Sequence, residues 1–169
     1  EKNPGGMLFQ CGVHKIHTLR HLFGEIDEVS SFMRYDVLEK SETPDATLTM
    51  LRFESGLVAP LNCYHTTAYN HRLRVFGTVG NLYFETQQKK AWYQERKQGA
   101  VEPVEPVELP EVDEDSNGNL ISFVHAVREG GTPYPSIYDG AQPVAVCLAA
   151  VESDDTGCKA KVHRFGNEA

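Results

Sequence analysis

Three histidines, His14, His17 and His21, fall within eight residues of the segment QCGVHKIHTLRHLFG (residues 10–24). In an α-helix, which turns about 100° per residue, these side chains and that of Gln10 lie within about 60° of one another. Imidazoles at such spacing can ligate a metal ion, transfer protons near neutral pH, or form the polar surface of a helix. The spacing leaves these three possibilities open.

The helix that carries the histidines is predicted over residues 8–23, with Gly24 as its stop signal. Its apolar residues cluster on roughly the opposite side: Phe9, Ile16, Leu19 and Phe23. The histidines are therefore expected to face solvent or a cleft rather than the core. No carboxylate joins them on that face, which weakens the metal interpretation.

Short strands joined by short turns are predicted after this helix, in segments 25–37, 46–53, 57–65, 71–77, 82–86 and 91–96. In the segment 46–53, Ala46, Leu48 and Met50 alternate with Thr47, Thr49, Leu51 and Phe53. This period of two is typical of a half-buried strand. Successive short turns favour antiparallel pairing.

The last third of the chain is predicted to be mainly helical. An acidic, proline-rich stretch (101–115) indicates an extended surface connection. Two helices follow, one over 119–131 with Ser116 or Asn117 near its cap, and one over 139–153 capped by Asp139. The first places Leu120, Val124 and Val127 on one face, and residues 157–165 suggest a closing strand. This order predicts a single α+β domain over residues 1–169, with one open, predominantly antiparallel sheet and helices on one face.

The bulk composition of the 169 residues excludes several classes of function. The net charge of −8 argues against nucleic acid or an anionic membrane as partner, because both favour a basic surface. No apolar run approaches the roughly 18 residues of a membrane span. Four cysteines without a CxxC pair disfavour a zinc ribbon or a disulfide framework, and reduced thiols in a cytoplasmic protein are expected.

Four segments in order resemble the C-terminal domain of the Gfo/Idh/MocA family of sugar and inositol dehydrogenases. They are GGMLFQCGVHKIHTLRHLFGEIDEV (5–29), DATLTMLRFESGLVAPL (45–61), RVFGTVGNLYFE (74–85) and SFVHAVREGGTPYPSIYDGAQPVAVCLAAVESDDTG (122–157). The resemblance implies a fold like the C-terminal domain of glyceraldehyde-3-phosphate dehydrogenase. It also implies that the chain is one half of a two-domain enzyme. The other half is a Rossmann domain that binds NAD or NADP and supplies a catalytic lysine.

Carried over by position, the resemblance implies that His14 is the catalytic histidine, which transfers or holds a proton at the substrate hydroxyl. Gln10 and His17 stand where the family has aspartates, so the proton relay differs here. We expect Gln10 and His17 to contact substrate, together with Tyr69 and Asn70 at the link between two strands. Neither cofactor-binding residues nor a metal site are expected in this chain.

The sequence thus predicts the substrate-binding and oligomerisation domain of an NAD(P)-dependent dehydrogenase that acts on a sugar, cyclitol or other polyol. The isolated domain is expected to be inactive, and a homo-oligomer is expected to form through the open face of the sheet. The alternatives are a non-catalytic binding or assembly module of the same fold and a histidine-based metal-binding protein.

Overall fold

The computed structural model of the chain describes residues 5–38, 42–111 and 117–165. The chain forms two compact units. Unit 1 comprises residues 1–67 and 117–169, and unit 2 comprises residues 68–116. Each unit contains its own four-stranded antiparallel sheet. The predicted α+β class is confirmed, but the strands divide between two sheets because turn signals reveal which strands pair and not where a sheet ends. The assignment of residues 1–169 to one domain stays a prediction.

The described residues contain eight strands and three α-helices. The strands are β1 (Ile26–Arg34), β2 (Ala46–Phe53), β3 (Val58–Tyr64), β4 (Arg72–Phe76), β5 (Gly80–Glu85), β6 (Lys90–Glu95), β7 (Glu105–Val107) and β8 (Ala160–Lys161). The helices are α1 (Val13–Phe23), α2 (Gly118–Glu129) and α3 (Ile137–Thr156). None of these helices is long and apolar enough to cross a membrane.

Unit 1 begins with a π-helical turn, Leu8–Gly12, that continues directly into α1. The predicted helix over 8–23 is therefore present, with a wider first turn. Gly12 lies in this turn against the sheet. A Cβ atom on Gly12 would lie 2.9 Å from both Cys63 Sγ and Leu8 Cδ1, so only glycine lets the turn approach β3 this closely.

The sheet of unit 1 has the order β3-β2-β1-β8, and α3 packs on one face of it. On β2 the inward residues are Thr47, Thr49, Leu51 and Phe53, whereas Leu48 and Met50 are exposed. Three of the buried side chains are hydrogen-bonded: Ser31 Oγ lies 2.9 Å from Thr49 Oγ1, and Ser153 Oγ accepts a hydrogen bond from the Ser31 amide at 3.0 Å. These bonds offset the cost of burying those hydroxyls, whereas the buried Thr47 hydroxyl has no hydrogen-bond partner among the described residues.

Helix α3 starts at a capping box. Ser136 is the N-cap and accepts a hydrogen bond from the Asp139 amide, and the Asp139 carboxylate accepts one from the Ser136 amide. Asp139 is thus the third helical residue and not the cap, which corrects the predicted start at residue 139. Gly157 ends the helix in the left-handed conformation, with φ of 66°. The predicted strand over 157–165 is reduced to β8.

Unit 2 is a sheet of order β4-β5-β6-β7. Tyr83 donates from its hydroxyl to Gln94 Oε1 at 2.9 Å, and Gln94 donates to the Glu102 carbonyl at 2.8 Å. Part of the predicted proline-rich connection is a strand here, because β7 pairs with β6. The end of that connection and the possible cap Ser116 lie outside the described residues.

Candidate functional site

The histidine face of α1 is directed away from the core, as predicted. Ile16 and Leu19 are buried, whereas His14 and His21 are exposed and His17 is half-buried. The apolar side of α1 packs against α3, which leaves the imidazoles on the open side of the helix. The amphipathic pattern alone was sufficient to predict this arrangement.

Gln10 lies in the π-helical turn, one turn before His14, and its side chain is exposed. The π turn holds more residues per turn than an α-helix, so the ideal 100° spacing does not apply between Leu8 and Gly12. Thr18 donates from its hydroxyl to the His14 carbonyl at 3.0 Å. The His14 side chain is exposed, and none of the described residues hydrogen-bonds its ring.

A polar cleft of about 260 Å³ lies beside the second half of α1. It is lined by His17, Arg20, His21, Glu25, Tyr134 and Asp139. The Tyr134 hydroxyl lies 3.2 Å from His21 Nδ1, which joins the loop before α3 to the end of α1. The cleft therefore gathers hydrogen-bonding groups from two segments that are far apart in sequence, 17–25 and 134–139.

Charged groups hold one wall of this cleft in place. Arg20 donates from Nε to Glu25 Oε2 at 2.8 Å and from Nη1 to the Asp139 carbonyl at 3.2 Å, so it ties α1 to the start of α3. Arg164 donates to the same Glu25 oxygen at 2.6 Å. The hydrogen bond from Arg20 is the main cause that lowers the pKa of Glu25, and hydrogen bonds from Ser136 lower the pKa of Asp139. Both carboxylates are therefore ionised at neutral pH.

The predicted site residues fall in different places. His17 lines the polar cleft, but His14 and Gln10 are not among its lining residues. Tyr69 and Asn70 belong to unit 2, where both are exposed just before β4. The Tyr69 ring lies 4.9 Å from the His71 ring, centroid to centroid. The roles of these residues in binding or catalysis stay predictions.

Arg20, Tyr134 and Asp139 were not predicted as site residues. For Asp139 a sequence signal existed, since SIYD (136–139) is a capping-box pattern that fixes the carboxylate at the helix start. Nothing in the sequence near Tyr134 indicates that it meets His21. That contact depends on the packing of α1 against α3.

Neither a metal site nor a dinucleotide site is formed by the described residues. They contain no group of three or more His, Cys, Asp or Glu side chains able to hold a metal ion. All paired strands in the described parts of the chain are antiparallel, whereas the βαβ unit that binds dinucleotides needs parallel strands. The described residues therefore do not fit NAD or NADP as a resident group.

Solved structures share this fold. An oxidoreductase from Desulfitobacterium hafniense, provisionally described as NADPH-dependent, is 25% identical with a TM-score of 0.84, over 94% of this chain and 49% of that one. Levoglucosan dehydrogenase in complex with NADH and levoglucosan is 22% identical with a TM-score of 0.77, over 95% of this chain and 51% of that one. An oxidoreductase domain protein from Kribbella flavida is 18% identical with a TM-score of 0.74, over 95% of this chain and 51% of that one.

These similarities define the class: an α+β domain of the kind found in nicotinamide-dependent oxidoreductases, spanning about half the length of the solved relatives it matches. A family model described as the GFO/IDH/MocA C-terminal domain matches residues 1–83. The predicted resemblance to the Gfo/Idh/MocA C-terminal domain is thus confirmed over these residues, which make up just under half of the chain. No curated protein matches the sequence.

Proposed function

We propose that this chain is the substrate-binding half of an NAD(P)-dependent oxidoreductase that acts on a sugar, cyclitol or other polyol. The observation that carries the proposal is that the imidazole of His14 is exposed on the polar face of α1. The sequence resemblance implies that this residue matches the family's catalytic histidine. A similar structure, levoglucosan dehydrogenase, has been solved with NADH and a sugar derivative, which supports this class of substrate.

In this proposal His14 takes up or returns the proton of a substrate hydroxyl while hydride leaves or joins the same carbon. A histidine suits this role because its ordinary pKa is near neutral. Gln10 orients a hydroxyl through its amide but cannot accept a proton, since an amide has no basic group at neutral pH. His17, Tyr69 and Asn70 are proposed as further substrate contacts.

The nicotinamide cofactor is proposed to be held mainly by the remainder of a longer protein. The described strands of this chain form no βαβ unit, whereas the matched relatives are about twice as long. The isolated chain is therefore expected to bind neither NAD nor NADP appreciably. Binding with a low-micromolar Kd by calorimetry would contradict this.

We further propose that the enzyme is a homo-oligomer formed through the open face of the unit 1 sheet. This face presents Phe32, Leu48, Met50 and Val58 as exposed side chains. Adjacent exposed apolar residues on a sheet favour burial against a partner. Met50→Asp should shift the mass measured by light scattering toward that of the monomer. Its control must lie at an exposed position outside this face; Met33→Asp is unsuitable because Met33 is half-buried and its substitution would disturb packing. Ile137→Asp introduces the same charge at the exposed start of α3, the helix that packs on the other face of the sheet, and serves as that control.

The catalytic proposal is tested in the longer protein that contains this chain and its cofactor domain. Polyols are screened for NAD(P) reduction, and kcat/KM is compared for His14→Ala and for the matched control His21→Ala on the same helix. Loss of a general acid–base group lowers kcat/KM by about 10²- to 10⁴-fold. His21→Ala should cost less than about 10-fold, since its role would be indirect.

Wild-type turnover in His14→Ala would remove His14 from the mechanism. A specific observation favours the alternative of a non-catalytic binding module, namely Gln10 in place of an acidic residue. Saturable polyol binding without turnover on any substrate would establish that alternative. A stoichiometric metal ion bound through His14, His17 and His21 would instead establish the metal-binding protein.

A further inference from the structure

Helix α2 presents its apolar side outward. Its apolar residues form one face: Leu120, Ile121, Phe123, Val124 and Val127. Of these, Leu120 is 59% exposed, Phe123 55% and Val127 70%. The less exposed residues of the helix are Ser122 and Ala126, on its opposite, polar side. The orientation is therefore the reverse of an ordinary surface helix, which turns its apolar stripe toward the core.

The contacts of α2 explain this orientation. Ser122 accepts a hydrogen bond from the Tyr134 amide at 2.8 Å, so the polar side is tied to the loop that leads into α3. On the same side His125 Nδ1 lies 3.3 Å from a Glu129 carboxylate oxygen, and both side chains are exposed. No residue of α2 is buried. Because a helix of twelve residues is marginal in water without packing, its apolar face calls for a partner.

The lengths of the relatives indicate which partner is available. Solved relatives share this fold over 94–95% of the present chain, and the match covers only 49–51% of their own chains, so they have about as much chain again. A protein built like these relatives therefore contains a second body of similar size that is available to cover an exposed apolar face. An outward apolar helix is the kind of surface that such an interdomain contact buries.

We propose that the apolar face of α2 is the docking surface for the cofactor-binding half of the longer protein. This inference rests on the proposed function, because it assumes that a nicotinamide-binding domain accompanies this chain. The loop after α2 carries Tyr134, whose hydroxyl meets His21 at the polar cleft. A domain docked on α2 thus borders the end of the histidine face, and α2 sets its distance from α1.

Hydrogen exchange of the α2 amides tests the proposal. Exchange of residues 119–129 is measured by mass spectrometry in the longer protein and in this chain alone. Docking predicts exchange about 10-fold or more slower in the longer protein, since burial suppresses local opening. Equal rates in the two proteins would overturn the proposal.

Two matched variants locate the contact on the helix. Val127→Asp in the longer protein should return α2 exchange to the rate of the isolated chain, whereas His125→Asp, which adds the same charge on the polar side, should leave it slow. Both variants of the isolated chain should melt within about 2 °C of the parent, because exposed substitutions have little effect on folding. The same effect from both variants in the longer protein would overturn the proposal.

Three other outcomes distinguish a failure of the docking proposal from a failure of the proposed function. Slow α2 exchange in the isolated chain that depends on protein concentration would assign the face to a second copy and overturn the proposal. Slow exchange in a longer protein that oxidises no polyol would support docking while the proposed substrate class fails. Polyol turnover with an unprotected α2 would overturn docking while the proposed function stands.

Discussion

The substitution Glu25→Gln tests the charged contacts that hold α1 against α3. Glu25 accepts hydrogen bonds from Arg20 and Arg164, and the Arg20 side chain is only 10% exposed. Glutamine keeps the shape of the side chain but removes the charge. The nearly buried guanidinium of Arg20 then loses its ionic partner and keeps only neutral acceptors, namely the glutamine amide oxygen and the Asp139 carbonyl.

The expected loss of stability is about 2 kcal/mol. Hydrogen bonds to charged groups contribute about 1.5–3 kcal/mol, and removing one partner of a fully buried ion pair costs about 3–5 kcal/mol. The Glu25 side chain is 38% exposed, so solvent screening places the cost near the lower range. For a chain of this size, 2 kcal/mol corresponds to a fall in Tm of about 4–8 °C.

The loss should depend on pH in a defined direction. The contacts lower the pKa of Glu25 below its ordinary value of 4.5, so its ionised form is favoured by folding. The stabilisation is fully present above the unfolded pKa and disappears as the pH falls through the folded pKa. The difference between wild type and Glu25→Gln should therefore be full at pH 7 and should shrink as the pH is lowered below 4.5 and through the folded-state pKa.

Circular dichroism at 222 nm is the suitable assay, because all three described helices belong to unit 1. The control is Glu54→Gln. Glu54 also accepts a hydrogen bond from Arg164, at 2.6 Å, but its side chain is 62% exposed, so we expect a cost below about 1 kcal/mol. A Tm difference for Glu25→Gln that is the same at pH 3 and pH 7 would refute the electrostatic argument.

Two further predictions follow from packing and from thiol burial. Gly12→Ala should lower the free energy of unfolding by about 1–3 kcal/mol through overpacking. Gly140→Ala should instead stabilise α3 by about 0.5–1 kcal/mol, since nothing lies within 4 Å of its added methyl group. Equal Tm shifts for the two variants would contradict this difference. Burial raises the pKa of the Cys63 thiol to about 11, whereas Cys158 is exposed. At pH 8 an alkylating reagent should label Cys158 at least about 100-fold faster than Cys63, as peptide mapping can measure; comparable rates would show that Cys63 is accessible.

Local features of the fold were predictable where residue type and spacing act over a few positions. The helix predicted over 8–23 ends at Gly24, its predicted stop signal. The outward direction of His14 followed from the opposite placement of Ile16 and Leu19. The family resemblance also followed from sequence order alone.

Other features could not be predicted because they depend on distant partners. The sequence of β2 alternates, but both of its faces contain apolar residues, so the pattern does not show which face is buried. The structure buries Thr47 and Thr49 and exposes Leu48 and Met50. The reason is that α3 covers the face on which Thr49 can bond Ser31.

The sequence by itself determined the helices, most strands, the family and the exposed histidine face, since each depends on short-range periodicity or on an ordered set of motifs. Tertiary structure decided which residues surround that face. The contact of Tyr134 with His21 and the bond of Arg20 to the Asp139 carbonyl join residues more than one hundred positions apart. Tertiary structure likewise decided that the apolar side of α2 faces outward, because periodicity defines the two sides of a helix but not the direction in which each one faces.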